Sequence, residues 1–92
     1  MKDINWFKKE MSPLLMDYEV AYKFFENGDF GSLNQVEFNG EKQGGEIDFW
    51  SSGWLEVYLV DMIKGEIILS AFLEPDQEEE KEKVLKKLQE LL

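Results

Sequence analysis

Two carboxylates, Asp48 and Glu56, are the side chains of this sequence best placed for acid–base chemistry. They fall in two consecutive runs rich in β-branched and aromatic residues, so antiparallel pairing of those runs would set them at neighbouring positions on one face. A pair of carboxyl groups at such a separation performs glycoside hydrolysis in many enzymes. That reaction also needs a cleft with many substrate contacts, and a small flat sheet offers little concavity. The pair therefore fits a solvated polar face or a binding surface better than a catalytic site.

Other catalytic and metal-binding chemistry finds little support in the residue types. The chain has no Cys and no His, which removes the usual nucleophilic triads and leaves only oxygen ligands for a metal ion. Ser51 or Ser52 could in principle form a Ser–Lys pair with Lys64, but the sequence Ser-Ser-Gly is typical of a tight turn. The pair Gly44-Gly45 lacks the spacing of a phosphate-binding loop. We therefore predict no enzymatic activity, no cofactor and no metal site.

The charge of the chain favours a cationic partner. Its 92 residues include 20 acidic and 10 basic side chains, and the formal net charge is −10. Residues 26–73 hold nine of the acids against two lysines. This excess argues against nucleic-acid binding, which draws on clustered positive charge. The length predicts one domain over residues 1–92. The lack of Cys, of a signal peptide and of a membrane-length apolar run predicts a cytoplasmic protein that binds no membrane.

The two carboxylates belong to a segment patterned like an antiparallel sheet. Two short breaks, Ser51-Ser52-Gly53 and Ile63-Lys64-Gly65, contain the Gly that tight connections require. They separate three predicted strands, and a fourth precedes them, at 33–39, 46–51, 54–62 and 66–73. Short connections pair sequential neighbours, so these strands are expected to form a meander.

Helices are predicted on either side of this segment. Asp3 can cap a short helix, and Ser12-Pro13 then begins a second helix that ends at Asn27-Gly28. A last helix follows Glu74-Pro75-Asp76. Their apolar stripes comprise Ile4, Phe7 and Met11 in the first, Leu14, Tyr18, Ala21 and Phe25 in the second, and Val84, Leu85, Leu88, Leu91 and Leu92 in the last. The predicted fold class is α+β: an N-terminal helix, a four-stranded antiparallel meander and a C-terminal helix, with the helices packed on one sheet face.

Strand alternation sorts the side chains onto two faces. The predicted core face carries Val36, Phe38, Ile47, Phe49, Leu55, Val57 and Leu59. The other face mixes acids with aromatics, as protein interfaces do. Its candidate partner-binding residues are Glu37, Glu46, Asp48, Trp50, Trp54, Glu56 and Tyr58. Alternatively, a helix covers part of this face, or a bulge near Ser51-Ser52-Gly53 turns one Trp inward.

The chain resembles the small acidic bacterial immunity proteins encoded beside polymorphic or contact-dependent toxins. The resemblance is carried by the Glu/Lys-rich last helix and by the runs Gly28-Asp29-Phe30-Gly31-Ser32-Leu33-Asn34, Glu37-Phe38 and Gly44-Gly45-Glu46-Ile47-Asp48-Phe49-Trp50-Ser51. It implies a cytosolic inhibitor that binds one cationic toxin domain, often a nuclease. Such a protein is expected to be a monomer or a weak homodimer.

Two rival functions remain open at this point. An adaptor or regulatory homodimer would use the same face, or the last strand, which is apolar on both sides. A small carboxylate enzyme would hold Asp48 and Glu56 in a concave site with raised pKa values.

Overall fold

The computed structural model describes residues 2–92, apart from the side chain of Asn27, and its fold is α+β. An N-terminal helical segment precedes an antiparallel sheet with the strand order β1-β2-β3-β4-β5, and one helix follows the sheet. The segment comprises α1 (Ile4–Trp6), a π-helical turn (Phe7–Met11) and a 3₁₀ turn (Ser12–Leu15). The later elements are β1 (Glu19–Gly28), β2 (Gly31–Asn39), β3 (Gln43–Trp50), β4 (Leu55–Asp61), β5 (Glu66–Leu73) and α2 (Glu78–Leu91). The predicted class and meander order are confirmed.

The N-terminal segment begins as its sequence predicts. The Asp3 side chain accepts hydrogen bonds from the backbone N–H groups of Asn5 and Trp6, at 3.0 and 3.1 Å, and so satisfies two donors that a helix start leaves free. Phe7, Met11 and Leu15 recur every four residues and are buried. The segment therefore presents one apolar edge to the sheet.

The second predicted helix is wrong, because most of that stretch forms β1. The sheet therefore has five strands where four were expected. Within β1, Val20, Tyr22 and Phe24 share the face of Val36 and Phe38 on β2, as the period of a strand requires, although Tyr22 and Phe24 stay 45% and 58% exposed. Strand β2 supplies a partner with its hydrogen-bonding groups free on that side, and pairs Tyr22 with Val36. Tertiary pairing thus outweighs the local helical stripe.

The core lies between one face of the sheet and the helices. All seven predicted core residues of the sheet are buried, which confirms that face. They pack with Phe7, Met11 and Leu15 of the N-terminal segment and with Leu85 and Leu88 of α2. Each fully buried aliphatic or aromatic side chain stabilises the fold by about 1.5–3 kcal/mol. This packing fixes which face of the sheet the helices cover.

The predicted breaks between strands are tight turns. Gly53 and Gly65 have φ angles of +102° and +70°, a backbone region that residues with a Cβ rarely adopt. In the β4–β5 turn, the Asp61 side chain accepts hydrogen bonds from the N–H groups of Ile63 and Lys64, at 2.9 and 3.0 Å. These turns set the register of the strands that carry the candidate site.

Candidate functional site

The sheet face opposite the helices, here called the open face, carries all seven candidate partner-binding residues. Cross-strand pairing sets Glu37 opposite Glu46, and Asp48 opposite Glu56. Tyr58 lies opposite Glu46 on the other side. Trp50 follows Asp48 at the same parity, and Trp54 joins the face through its ring, which stacks on that of Phe72 at 5.0 Å.

Four acids in the middle of the open face form a carboxylate cluster: Glu37, Glu46, Asp48 and Glu56. Asp48 lies on the central strand and is only 5% exposed, while the three glutamates are half-buried. Directly opposed side chains on paired strands have Cβ atoms about 4.5–5.5 Å apart, and like charges at that distance destabilise a sheet. Lys23 of β1 offsets part of the charge, since its Nζ lies 2.9 Å from Glu37 Oε1.

Burial and repulsion disturb the ionisation of this cluster. The pKa of Glu46 is raised from 4.5 to about 7, first by burial and then by the charges of Asp48, Glu37 and Glu56. Burial, followed by the charge of Asp48, also raises the pKa of Glu56. The Glu46 carboxyl therefore keeps its proton to a higher pH than an ordinary glutamate does.

Asp48 has one buried oxygen without a donor. Its Oδ1 atom is inaccessible to solvent and has no hydrogen-bond partner among the described residues. A buried acceptor left unpaired costs about 1–3 kcal/mol, and more when the group is charged. The centre of the open face thus holds a carboxylate oxygen to which no described residue donates a hydrogen bond.

One end of the open face is covered by an aromatic cluster, which comprises Phe30, Trp50, Trp54 and Phe72. The Trp54 ring stacks on Phe30 at 4.8 Å and on Phe72 at 5.0 Å, and the Trp50 ring meets both phenyl rings edge-on. Mutual packing leaves both tryptophans half-buried, whereas Phe72 is 50% exposed. The outermost aromatic surface is therefore Phe72, which was not among the predicted residues.

Phe72 and Phe30 were not among the predicted residues, and the sequence signals for the two differ. Phe72 lies opposite Glu56 in the β4–β5 pairing, so extending the parity argument to the last strand would have identified it. Phe30 lies in the β1–β2 turn, where strand parity does not apply. An aromatic residue between turn-forming residues was its only signal.

At the other end of the face, Tyr58 borders a shallow depression of about 290 Å³. Its floor includes Gly44, which has no side chain to fill the space between β2 and β4, and its rim includes Glu37, Glu46 and Val60. Tyr58 is 38% exposed. The carboxylate cluster thus lies between an aromatic surface and a shallow apolar depression.

The two serines considered as nucleophiles stabilise turns. Ser51 Oγ accepts a hydrogen bond from the Ser32 N–H at 2.9 Å, and the Ser52 hydroxyl donates to the Phe30 carbonyl oxygen. Lys64 lies in the β4–β5 turn, at the opposite end of β4 from these serines. A seven-residue strand spans roughly 23 Å, so the structure does not bring a Ser–Lys pair together.

Within residues 2–92, no three potential metal-ligating side chains are arranged to hold an ion. None of the helices in that range has both the length and the apolar character needed to cross a membrane. Comparison of the chain with protein-family models, curated proteins and solved structures finds no match. What the chain does is therefore inferred from its own residues.

Proposed function

We propose that the chain is a non-catalytic binding protein whose open face binds a basic protein partner. The observation that carries this proposal is the carboxylate cluster, a group of four acids on the sheet face that the helices leave uncovered. The formal charge of −10 adds a long-range attraction for such a partner.

The carboxylate cluster opposes folding, which favours a functional role. Two pairs of acids face each other across strands, and Asp48 is buried with an unpaired oxygen. A solvated polar face would place Lys near each Glu, as happens for Glu37, whose carboxylate pairs with Lys23 of the neighbouring strand. A cationic surface that arrives from outside would relieve this repulsion, so the free energy that the cluster costs the free chain is recovered on binding.

The charged and aromatic parts of the open face would contribute to different stages of binding. Opposite potentials accelerate encounter, by orders of magnitude at low salt. The exposed ring of Phe72 and the half-buried tryptophans behind it offer the apolar contacts that slow dissociation. A standard interface of roughly 800 Å² per partner is commensurate with one face of a five-stranded sheet.

The resemblance to immunity proteins indicates one class of partner. A toxin domain that cleaves nucleic acid presents Lys and Arg to phosphate groups, and an acidic face would compete for that same surface. We infer that the chain neutralises a cognate cationic toxin domain in the cytoplasm by occupying its active-site surface. Under this proposal the chain itself performs no reaction.

A second candidate function, an adaptor or regulatory homodimer, is favoured by the edge strand β5. Ile67 and Ile68 on this edge are 61% and 40% exposed, and an unpaired apolar edge can template pairing with another chain. Light scattering on the isolated protein separates the two functions. A tight dimer that protects β5 amides from hydrogen exchange would favour the homodimer, whereas a monomer favours the heterologous partner.

The proposed function is tested by purifying the chain together with the product of the adjacent gene and titrating the two proteins. We expect a complex whose affinity falls at least tenfold between 50 and 300 mM salt, because charge pairs dominate the encounter. A triple variant of the open face, Glu37→Gln, Glu46→Gln and Glu56→Gln, should weaken binding by at least tenfold.

The matched control removes the same number of charges from α2, through Glu79→Gln, Glu80→Gln and Glu90→Gln. These three side chains are exposed on the helix, so their loss should change affinity less than threefold. Equal weakening by both triple variants would refute the open face as the interface. The absence of any complex at 50 mM salt would count against the proposed function itself.

A further inference from the structure

We propose that the carboxylate cluster is a binding site for one arginine side chain of the partner, with Asp48 at its centre. This inference rests on the proposed function and names the group that the open face recognises. The guanidinium would enter between Glu46 and Glu56 and donate to the unpaired Oδ1 atom of Asp48.

The geometry around Asp48 favours a ligand supplied from outside. Asp48 is 95% buried, yet its Oδ1 atom lacks a donor. The neighbours in contact with it are two glutamates, which are half-buried and have flexible side chains. Gln35, opposite Asp48 on β2, makes no hydrogen bond to that oxygen. Small rotations of Glu46 and Glu56 would open a path to an acceptor that the fold has left unused.

A planar guanidinium fits this arrangement better than a metal ion. Its five N–H donors spread over several ångströms and pair with carboxylates in a bidentate manner, which suits acids spaced by strand pairing. A metal ion needs at least three ligands converging at short distance, and the described residues contain no such group. Glu46, Asp48 and Glu56 can therefore surround one guanidinium without converging on a single point.

The aromatic ring beside the cluster favours arginine over lysine. Phe72 lies opposite Glu56 on β5 and is half-exposed, so it offers a flat surface next to the acids. Guanidinium groups stack on aromatic rings and are weakly hydrated, whereas an ammonium is a compact and strongly hydrated charge. An arginine side chain could thus donate to Asp48 while its stem lies along Phe72.

Binding at this site would release protons. The charged and titratable groups that face Glu46 are Lys23 of β1, Glu37 of β2, Asp48 of β3, and Glu56 and Tyr58 of β4. Lys23 is engaged by Glu37, so none of these groups supplies a free cation to Glu46. A guanidinium would do so and would lower the pKa of Glu46 towards its ordinary value of 4.5. The affinity should then rise about tenfold between pH 6 and pH 8.

The experiment uses Nα-acetyl-arginine amide as the probe and the full 92-residue chain as the receptor. Side-chain carboxyl ¹³C resonances are followed by NMR during a titration in the millimolar range. We expect saturable shifts at Glu46, Asp48 and Glu56, and a pKa of Glu46 that falls by at least one unit at saturation. Nα-acetyl-lysine amide should bind at least threefold more weakly, because it lacks the planar donor fork.

Two variants and a matched control distinguish binding at the carboxylate cluster from non-specific attraction to a negatively charged protein. Asp48→Asn and Glu46→Gln should each lower the affinity for the arginine probe by at least fivefold. Glu41→Gln, which removes the same charge from the exposed β2–β3 loop, should leave this affinity unchanged. The amide spectra of all three variants report whether each remains folded, and a variant that unfolds is replaced by Glu56→Gln.

The inference is overturned if the shifts are linear, match those produced by NaCl at equal ionic strength, or persist in Asp48→Asn. Saturation by Ca²⁺ at micromolar concentration with no response to the arginine probe would also overturn it, since the cluster would then be a metal site. If the arginine probe fails but the cognate protein still binds the open face, only this inference is lost. If the probe binds but no basic protein does, the proposed function is lost instead.

Discussion

Replacing Glu46 with Gln should stabilise the protein at high pH and have little effect at low pH. The substitution keeps the shape of the side chain, removes its charge and supplies an N–H donor towards Asp48. In the folded chain Glu46 is half-buried among like charges, whereas in the unfolded chain it is solvated. The ionised form of Glu46 is therefore the form that opposes folding.

The magnitude follows from the raised pKa of Glu46, which is about 7 in the folded protein against 4.5 ordinarily. At about 1.4 kcal/mol per pKa unit, this difference amounts to about 3.4 kcal/mol for a fully shielded group. Glu46 is partly exposed, and solvent screening reduces the effect to roughly 1.5 kcal/mol. Because folding takes up protons between the two pKa values, the stability contributed by this group is present below pH 4.5 and is lost as pH rises through about 7.

The assay is urea unfolding of the wild type and the Glu46→Gln variant at pH 5 and pH 8, followed by circular dichroism. We expect the variant to be more stable by roughly 1.5 kcal/mol at pH 8 and by roughly 0.4 kcal/mol at pH 5. Glu41→Gln, which removes an equal charge from an exposed loop, should show a difference below about 0.5 kcal/mol at both pH values. A variant that is destabilised at pH 8, or whose advantage is the same at both pH values, would refute the reasoning.

Four further substitutions test other parts of the sheet. Asp48→Asn should lower the pKa of Glu46 by removing a charge that raises it, as carboxyl ¹³C titration would detect; an unchanged value would contradict the role assigned to Asp48. Gly45→Ala would press a Cβ against the Tyr58 carbonyl oxygen and should cost roughly 3 kcal/mol or more in urea unfolding. Gly65→Ala, where the added Cβ meets open space at positive φ, should cost only about 1 kcal/mol, and equal costs would contradict this packing. Phe72→Ala should cost about 1–2 kcal/mol through lost stacking and should red-shift the tryptophan fluorescence; an unchanged spectrum would argue against the aromatic cluster.

The open face also represents a compromise between folding and binding. Its central acids raise the free energy of the isolated chain, and the same groups are available to a cationic ligand. This predicts that most substitutions that neutralise the carboxylate cluster stabilise the protein while weakening the proposed complex. Stability and affinity measured on one set of variants should therefore change in opposite directions.

Much of the sheet could be predicted because strand alternation is a local property. In β3 and β4 each side chain points opposite to its neighbour, so Ile47 and Val57 were correctly assigned to the core and Asp48 and Glu56 to the other face. The cap at Asp3 and the apolar stripe of α2 are likewise decided by neighbours within a few residues. Local pattern does not determine the conformation of β1, since Tyr22 satisfies both a helical and a strand pattern. Pairing with β2 makes this segment a strand.

The chemistry of the open face depended on burial, which sequence alone does not contain. The order of residues determined that Glu46 and Asp48 share a face, but only the packed sheet shows that Asp48 is buried and that burial raises the pKa of Glu46. The aromatic cluster has the same origin, because the β1–β2 turn brings Phe30 onto the rings of Trp54 and Phe72, which are distant in the chain. The sheet face to which a side chain points is set locally by the backbone geometry of its strand. Desolvation and ring contacts arise only when separate strands meet.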